Sequence, residues 1–233
     1  LLEDFVQLTR GFSKNEMQIA AKCRSDDCLL QATNRADLDL NEIDNILRQE
    51  PSLLMRLLKC LNSALFGMRT NIKSTRHAIT LLGESNLRKW ASVVALLDLA
   101  GDKPSELVQT SLVRARLCEL MVKPLRLSNS ETDVFLLGLL SLMDAILDRR
   151  MKDVLEEIPV VDDVKNALLG NSCRLRHLLE IVLAQESGDW SLVSEYLENM
   201  GMTPDEYPIL YFKALQWVSS ISKGTAKLME AST

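Results

Sequence analysis

The sequence predicts an all-α protein, a compact multi-helix bundle of about ten to twelve helices. Leucine-rich segments place apolar residues at helical spacing along most of the 233 residues. Only 9 glycines and 6 prolines occur, and β-branched or aromatic runs are few, so strands and hairpins are not signalled. Helix-start and helix-stop residues recur at short intervals, with no tandem repeat, low-complexity run or Pro/Ser-rich linker between them. With 47% apolar and 25% charged residues the chain has material for one core.

The elements can be taken in order. Residues 1–28 are the least patterned, with short helical pieces expected at Leu1–Leu8 and at Asn15–Cys23. Asp39 with Glu42 three residues on forms a capping box for a helix that runs to about Gln49. Pro51 opens the next helix, where a missing N–H does no harm. At 100° per residue its polar residues Ser52, Arg56, Lys59 and Ser63 share one narrow sector, and leucines fill most of the rest. A helix apolar around most of its girth is a central one. Asn62 projects inside the apolar arc, where a buried amide must find hydrogen-bond partners. Tying the helix to its following turn is the simpler reading, and ligand binding the rarer one.

A short helix follows over Thr75–Leu82, ended by Gly83, and then a helix over Ser85–Leu99. Its apolar face carries Leu87, Trp90, Ala91, Val94 and Leu97, while Arg88, Lys89 and Ser92 are expected to face away. Pro104 starts a helix to about Val122. Ser128 and Glu131 form another capping box, ahead of the most apolar segment, Val134–Leu147. At about 14 residues, interrupted by Ser141 and Asp144, that segment is too short and polar to span a bilayer. Helices over Met151–Ile158, Val161–Leu169, Cys173–Ser187 and Trp190–Met200 follow. The last begins near Thr203, Pro204 and Glu206, with Pro208 competing as its first-turn residue, and the tail after Lys223 is expected to fray.

Composition bounds the function. A net charge of −5 and a pI near 5.2 leave no electrostatic footprint for nucleic acid, and no membrane-spanning segment is read. Five cysteines scattered singly suggest reduced thiols and a cytoplasmic protein. Cys23 and Cys28 have a spacing that some metal sites use, but no histidine or second cysteine pair accompanies them. Cys60 and Cys118 fall on apolar helix faces and read as inert. The two histidines, His77 and His177, lack an Asp, Glu or Cys at metal-site spacing. Glycine-rich phosphate loops, H-E-x-x-H and G-x-S-x-G are absent from the sequence. Ser141, Asp144 and Asp148 are spaced i, i+3, i+7 and share one side of the apolar helix, a polar seam that faces either solvent or a site.

Several stretches together resemble one family. Pro51-Ser52-Leu53 through Leu57-Leu58, then Leu61-Asn62-Ser63-Ala64, are similar to the signature of the HDOD family, the HD-related output domains of bacterial signalling proteins. Ile72-Lys73-Ser74-Thr75, Ala78-Ile79, Leu82-Gly83 and Trp90 continue the match, while Glu50 stands where aspartate is usual. The match runs from about Leu29 to Val218. Arg114-Ala115, Cys118-Glu119, Gly138-Leu139-Leu140-Ser141-Leu142 and Gly188-Asp189-Trp190 resemble the branch that follows an EAL cyclic-di-GMP phosphodiesterase domain. The resemblance implies an HD-like fold, with residues 1–28 a lead-in or a linker from an upstream domain, 29–222 the HDOD domain and 223–233 a frayed tail. Starting at leucine, the chain is expected to be a fragment of something longer.

Catalytic HD phosphohydrolases carry G-L-L-H-D, whose His and Asp hold divalent metals. The resemblance puts Ser141 in place of that His and Leu142 in place of that Asp. A hydroxyl and an alkyl chain cannot hold a hydrolytic metal centre. The expectation is therefore a module with no catalytic residue, metal or cofactor, acting through a protein partner or an attached domain, with a homodimer possible. The competing expectations are a divergent phosphohydrolase using Asp144, Asp148 and a histidine, and a nucleotide or small-ligand sensor without chemistry.

Overall fold

The computed structural model describes residues 39–49, 53, 54, 57, 75–100, 103–158 and 160–230. Every regular element among them is helical. They are α1 (Leu40–Gln49), α2 (Thr75–Leu82), α3 (Glu84–Ala100), α4 (Ser105–Met121), α5 (Glu131–Leu140), α6 (Met143–Leu147), α7 (Met151–Glu157), α8 (Asp162–Leu168), α9 (Arg174–Ser187), α10 (Trp190–Met200) and α11 (Tyr207–Glu230), with a 3₁₀ turn at Pro204–Glu206. The expected all-α class and helix number hold. Asp39 caps α1 as its spacing predicts, its Oδ1 accepting from the Asn41 N–H at 2.8 Å. Gly83, Gly188 and Gly201 end helices α2, α9 and α10 with φ between 75° and 85°, a conformation that costs glycine little.

Three patches of buried side chains make the core. The first packs α1, α2 and one face of α3 with Leu53 and Leu57, both buried helical residues. The second joins the other face of α3 to α4, α5, α6 and α7, and to Val218 of α11. The third joins α4 and α5 to α8, α9, α10 and α11. Helices α3, α4, α5 and α11 each take part in two patches, and α4 and α5, which make the most extensive contact of any helix pair, are the centre of the described fold. Pro51, Asn62, Ser63, Ala64 and Cys60, on which the central-helix reading rests, lie outside the described residues, as do Cys23 and Cys28.

Four local expectations are corrected. Ser92 does not face away on α3 but is buried, its hydroxyl donating to the Arg88 carbonyl at 2.9 Å. Lys89 is also covered, because α3 is packed on both sides. The capping residue before the apolar segment is Ser130 rather than Ser128: its Oγ accepts from the Asp133 N–H at 3.1 Å and donates to the Asp133 carboxylate at 2.6 Å. Ser130→Ala is expected to cost about 1 kcal/mol in urea unfolding. The segment is not one helix to Leu147; it breaks at Ser141–Leu142, and α6 starts afresh. At the break the Ser141 hydroxyl donates to the Gly138 carbonyl at 2.7 Å alongside its own N–H at 3.3 Å, and Leu142 leaves the helical region at φ −119°.

Candidate functional site

The break at Ser141 overturns the seam of Ser141, Asp144 and Asp148 as one face of a continuous helix. Asp144 and Asp148 are exposed. Asp144 accepts from the Ala145 N–H at 2.9 Å, at the start of α6. Asp148 ends α6 in the left-handed region at φ 51° and pairs with Lys103.

Ser141 itself points elsewhere. Its Oγ accepts a hydrogen bond from Nη1 of Arg114 at 3.0 Å. The Arg114 guanidinium, 7% exposed on α4, also donates from Nε and Nη2 to the two carboxylate oxygens of Glu186 at 2.8 and 2.6 Å. One buried cation thus joins α4, the end of α5 and the last turn of α9, in the two-pronged geometry that guanidinium and carboxylate share. Gly138 makes this meeting possible. A Cβ there would lie 2.4 Å from the carbonyl carbon and oxygen of Arg114 and 2.5 Å from the Ala115 nitrogen. The α4 and α5 backbones touch at that point.

A second charged knot lies one turn along α4. Glu119, 8% exposed, pairs with Lys89 of α3 and accepts from Nη1 of Arg116 at 2.5 Å. The Arg116 guanidinium stands 5.8 Å from the centre of the Trp217 ring, whose edge meets Phe135 at 6.0 Å between centroids. Cys118, also on α4, is fully buried; burial pushes its thiol up to about 12, which leaves it no nucleophile at neutral pH.

The donor set does not fit a divalent metal. Ser141 supplies a hydroxyl already engaged on both sides, Leu142 supplies no donor, and the nearest charge is a guanidinium that repels cations. Among the described residues no group of three or more His, Cys, Asp or Glu side chains is placed to hold a metal ion. His177 stacks on Tyr196 at 5.8 Å, and His77 is a half-buried residue of α2. An apolar groove lined by Ser92, Leu96, Leu99, Leu136, Leu140 and Met143 holds about 40 Å³, well short of the ~300–1,000 Å³ of small-molecule sites. No described helix is long and apolar enough to cross a membrane.

Of the signature residues, Leu82 and Trp90 are buried, Gly83 closes α2, and Gly138 is the α4–α5 contact. Asp189 caps α10 by accepting from the Leu192 N–H at 3.0 Å, and Trp190 beside it is 58% exposed. Sequence reasoning missed Glu186 altogether. It also left Lys89 on the surface. Nothing in the local pattern of either helix marks these side chains, since their partners are 72 and 30 residues away.

Known proteins are similar to this chain in sequence. A 197-residue stretch, 83% of the chain, is 30% identical to the uncharacterized protein YuxH of Bacillus subtilis and covers 47% of it. A 195-residue stretch, 84% of the chain, is 28% identical to cyclic di-GMP phosphodiesterase CdgJ of Vibrio cholerae and covers 45% of it. The chain therefore spans a little under half the length of these curated relatives. No solved structure matches it. The HDOD domain matches residues 27–172, which takes in α1 to α8, the Gly138 contact and the Ser141 break. With an all-helical bundle around those residues and this match over more than half of its length, the chain belongs to the HDOD family.

Proposed function

We propose that this protein is a non-catalytic bacterial signal-transduction module of the cytoplasm, acting by contacts with a protein partner. The partner we favour is an EAL cyclic-di-GMP phosphodiesterase domain in the same polypeptide, which this module would regulate. Membership of the HDOD family and the relation to CdgJ support the signalling role. The observation that carries the absence of catalysis is the Arg114–Ser141 hydrogen bond. If Ser141 and Leu142 stand where an HD phosphohydrolase has its metal His and Asp, the place is taken by a tethered cation. A divalent ion would have to displace a guanidinium that Glu186 neutralises at 2.6 and 2.8 Å. The exposed Trp190 and the outer side of α11 offer apolar surface for contacts with a partner.

The test is elemental analysis of the purified protein together with hydrolysis assays on cyclic-di-GMP and simple phosphodiesters. No stoichiometric metal and no turnover is the expected result. Bound metal, with turnover abolished by a chelator, overturns the reading. Regulation is tested separately, by comparing cyclic-di-GMP hydrolysis by the full parent polypeptide with and without this module. An unchanged rate would remove the regulatory half of the proposal.

A further inference from the structure

Helix α11 has two apolar faces. One lies on the bundle, mainly against α4, and buries Tyr207, Ala214 and Val218. The other looks outward, with Ile209, Phe212 and Leu215 exposed by 58%, 60% and 39%. Among the described residues no other helix exposes three large apolar side chains. Single exposed ones are ordinary, whereas a cluster marks a contact surface. At 100° per residue this face has an internal order. Ile209 and Phe212 run up its middle, Pro208 and Leu215 flank them on one side, and Glu206 and Lys213 on the other, all of them exposed. Neither flanking charge has an ion-pair partner among the described residues.

We propose that this face binds a second copy of the chain, with the two α11 helices antiparallel across a two-fold axis. A two-fold that reverses the helix direction keeps each flank on its own side. Placed midway between Leu210 and Tyr211, it sets Ile209 against the second copy's Phe212, twice by symmetry. Along one flank it brings Leu215 onto the second copy's Pro208. Along the other, Glu206 and Lys213 of opposite copies come within about 3 Å of the same level. Asp205 and Gln216, both exposed, are set opposite each other by the same operation, a carboxylate against an amide able to donate to it. Parallel pairing would swap the flanks and lay Glu206 and Lys213 over Leu215 and Pro208, where each charge loses water without a counter-ion. Four pairs closing about one centre are what a self-complementary surface requires, and an unrelated partner demands no such order. So few side chains from each copy fall short of the ~20–30 a side of standard complexes, so the dimer is weak and depends on concentration. Neither the absence of catalysis nor an attached domain enters into this pairing.

Sedimentation velocity of the 233-residue chain tests the pairing. A monomer at ~1 µM and a dimer fraction that grows toward ~500 µM are expected. Phe212→Glu puts a carboxylate at the centre of the contact and is expected to abolish the dimer. Because Phe212 is 60% exposed, its Tm by circular dichroism is expected to stay unchanged. Glu206→Lys alone, or Lys213→Glu alone, sets like charges against each other in both symmetric pairs and is expected to weaken association about tenfold. The double charge swap restores opposite charges and is expected to return the affinity to within about threefold of the original. A monomer throughout the series, the result if another protein or residues 1–38 of this chain cover the face, overturns the proposal. A dimer that tolerates Phe212→Glu overturns it as well, and should that variant not fold, the charge variants decide. A double swap no tighter than the weaker single variant also overturns it, because the copies would then not meet in this register.

Discussion

Glu186→Ala is expected to lower stability by about 3 kcal/mol, the low end of the ~3–5 kcal/mol that follows loss of one partner of a buried ion pair. The low end applies because the Glu186 side chain is 31% exposed and water reaches one side of the pair, whereas the Arg114 side chain is 9% exposed. Truncation leaves the guanidinium with Ser141 as its one remaining partner among its described hydrogen bonds. In a chain of this size that corresponds to a fall in Tm of roughly 6–12 °C, measured by calorimetry or circular dichroism. The double substitution Arg114→Met with Glu186→Leu is expected to recover most of the loss, because removing both charges also removes their desolvation cost. A double variant as unstable as Glu186→Ala alone would mean that packing around α9, not charge, governs the site.

Gly138→Ala is expected to destabilise by about 2 kcal/mol or more in urea unfolding. In an open helix the same change would gain ~1 kcal/mol from propensity. Here the added carbon meets the Arg114 carbonyl and the Ala115 nitrogen at 2.4–2.5 Å. Those are backbone atoms, which no rotamer change can move. Overpacking of this kind costs ~1–3 kcal/mol, and more where the backbone itself must shift. Gly138→Val is expected to be worse still. Because the clash falls on the peptide of Arg114, the Gly138 and Glu186 substitutions share a structural element and are expected to be non-additive. A neutral Gly138→Ala would place the α4 and α5 axes further apart than described.

Much of the secondary structure was legible because its signals are local. Asp39 and Asp189 cap the helices after them, and Gly83, Gly188 and Gly201 end the helices before them, within a residue or two of expectation. The errors share one cause. Ser128 and Ser130 both precede an acidic residue by three, and only the bond actually made, to the Asp133 N–H, decides between them. The unbroken helix Val134–Leu147 assumed that Ser141 would behave as a neutral helical residue. It instead turns its hydroxyl onto the Gly138 carbonyl, while the Arg114 guanidinium holds that same oxygen from the far side. Lys89 and Ser92 look like a solvent face because amphipathicity is read one helix at a time. A helix packed on two sides has no such face.

The sequence by itself determined the all-helical class, most helix ends, the inert Cys118 and a family resemblance that the HDOD match bears out. These follow from periodicity, from capping chemistry within four residues and from short signatures, all of which act along the chain. The tertiary structure alone decided that α4 and α5 are the centre, that Gly138 is a backbone contact, and that Arg114 reaches Ser141 and Glu186. Those are pairings across 24 to 72 residues. Buried ion pairs also gain little net free energy over apolar packing, so no composition or spacing rule demands them. Which carboxylate meets which guanidinium is settled only when the helices are in place.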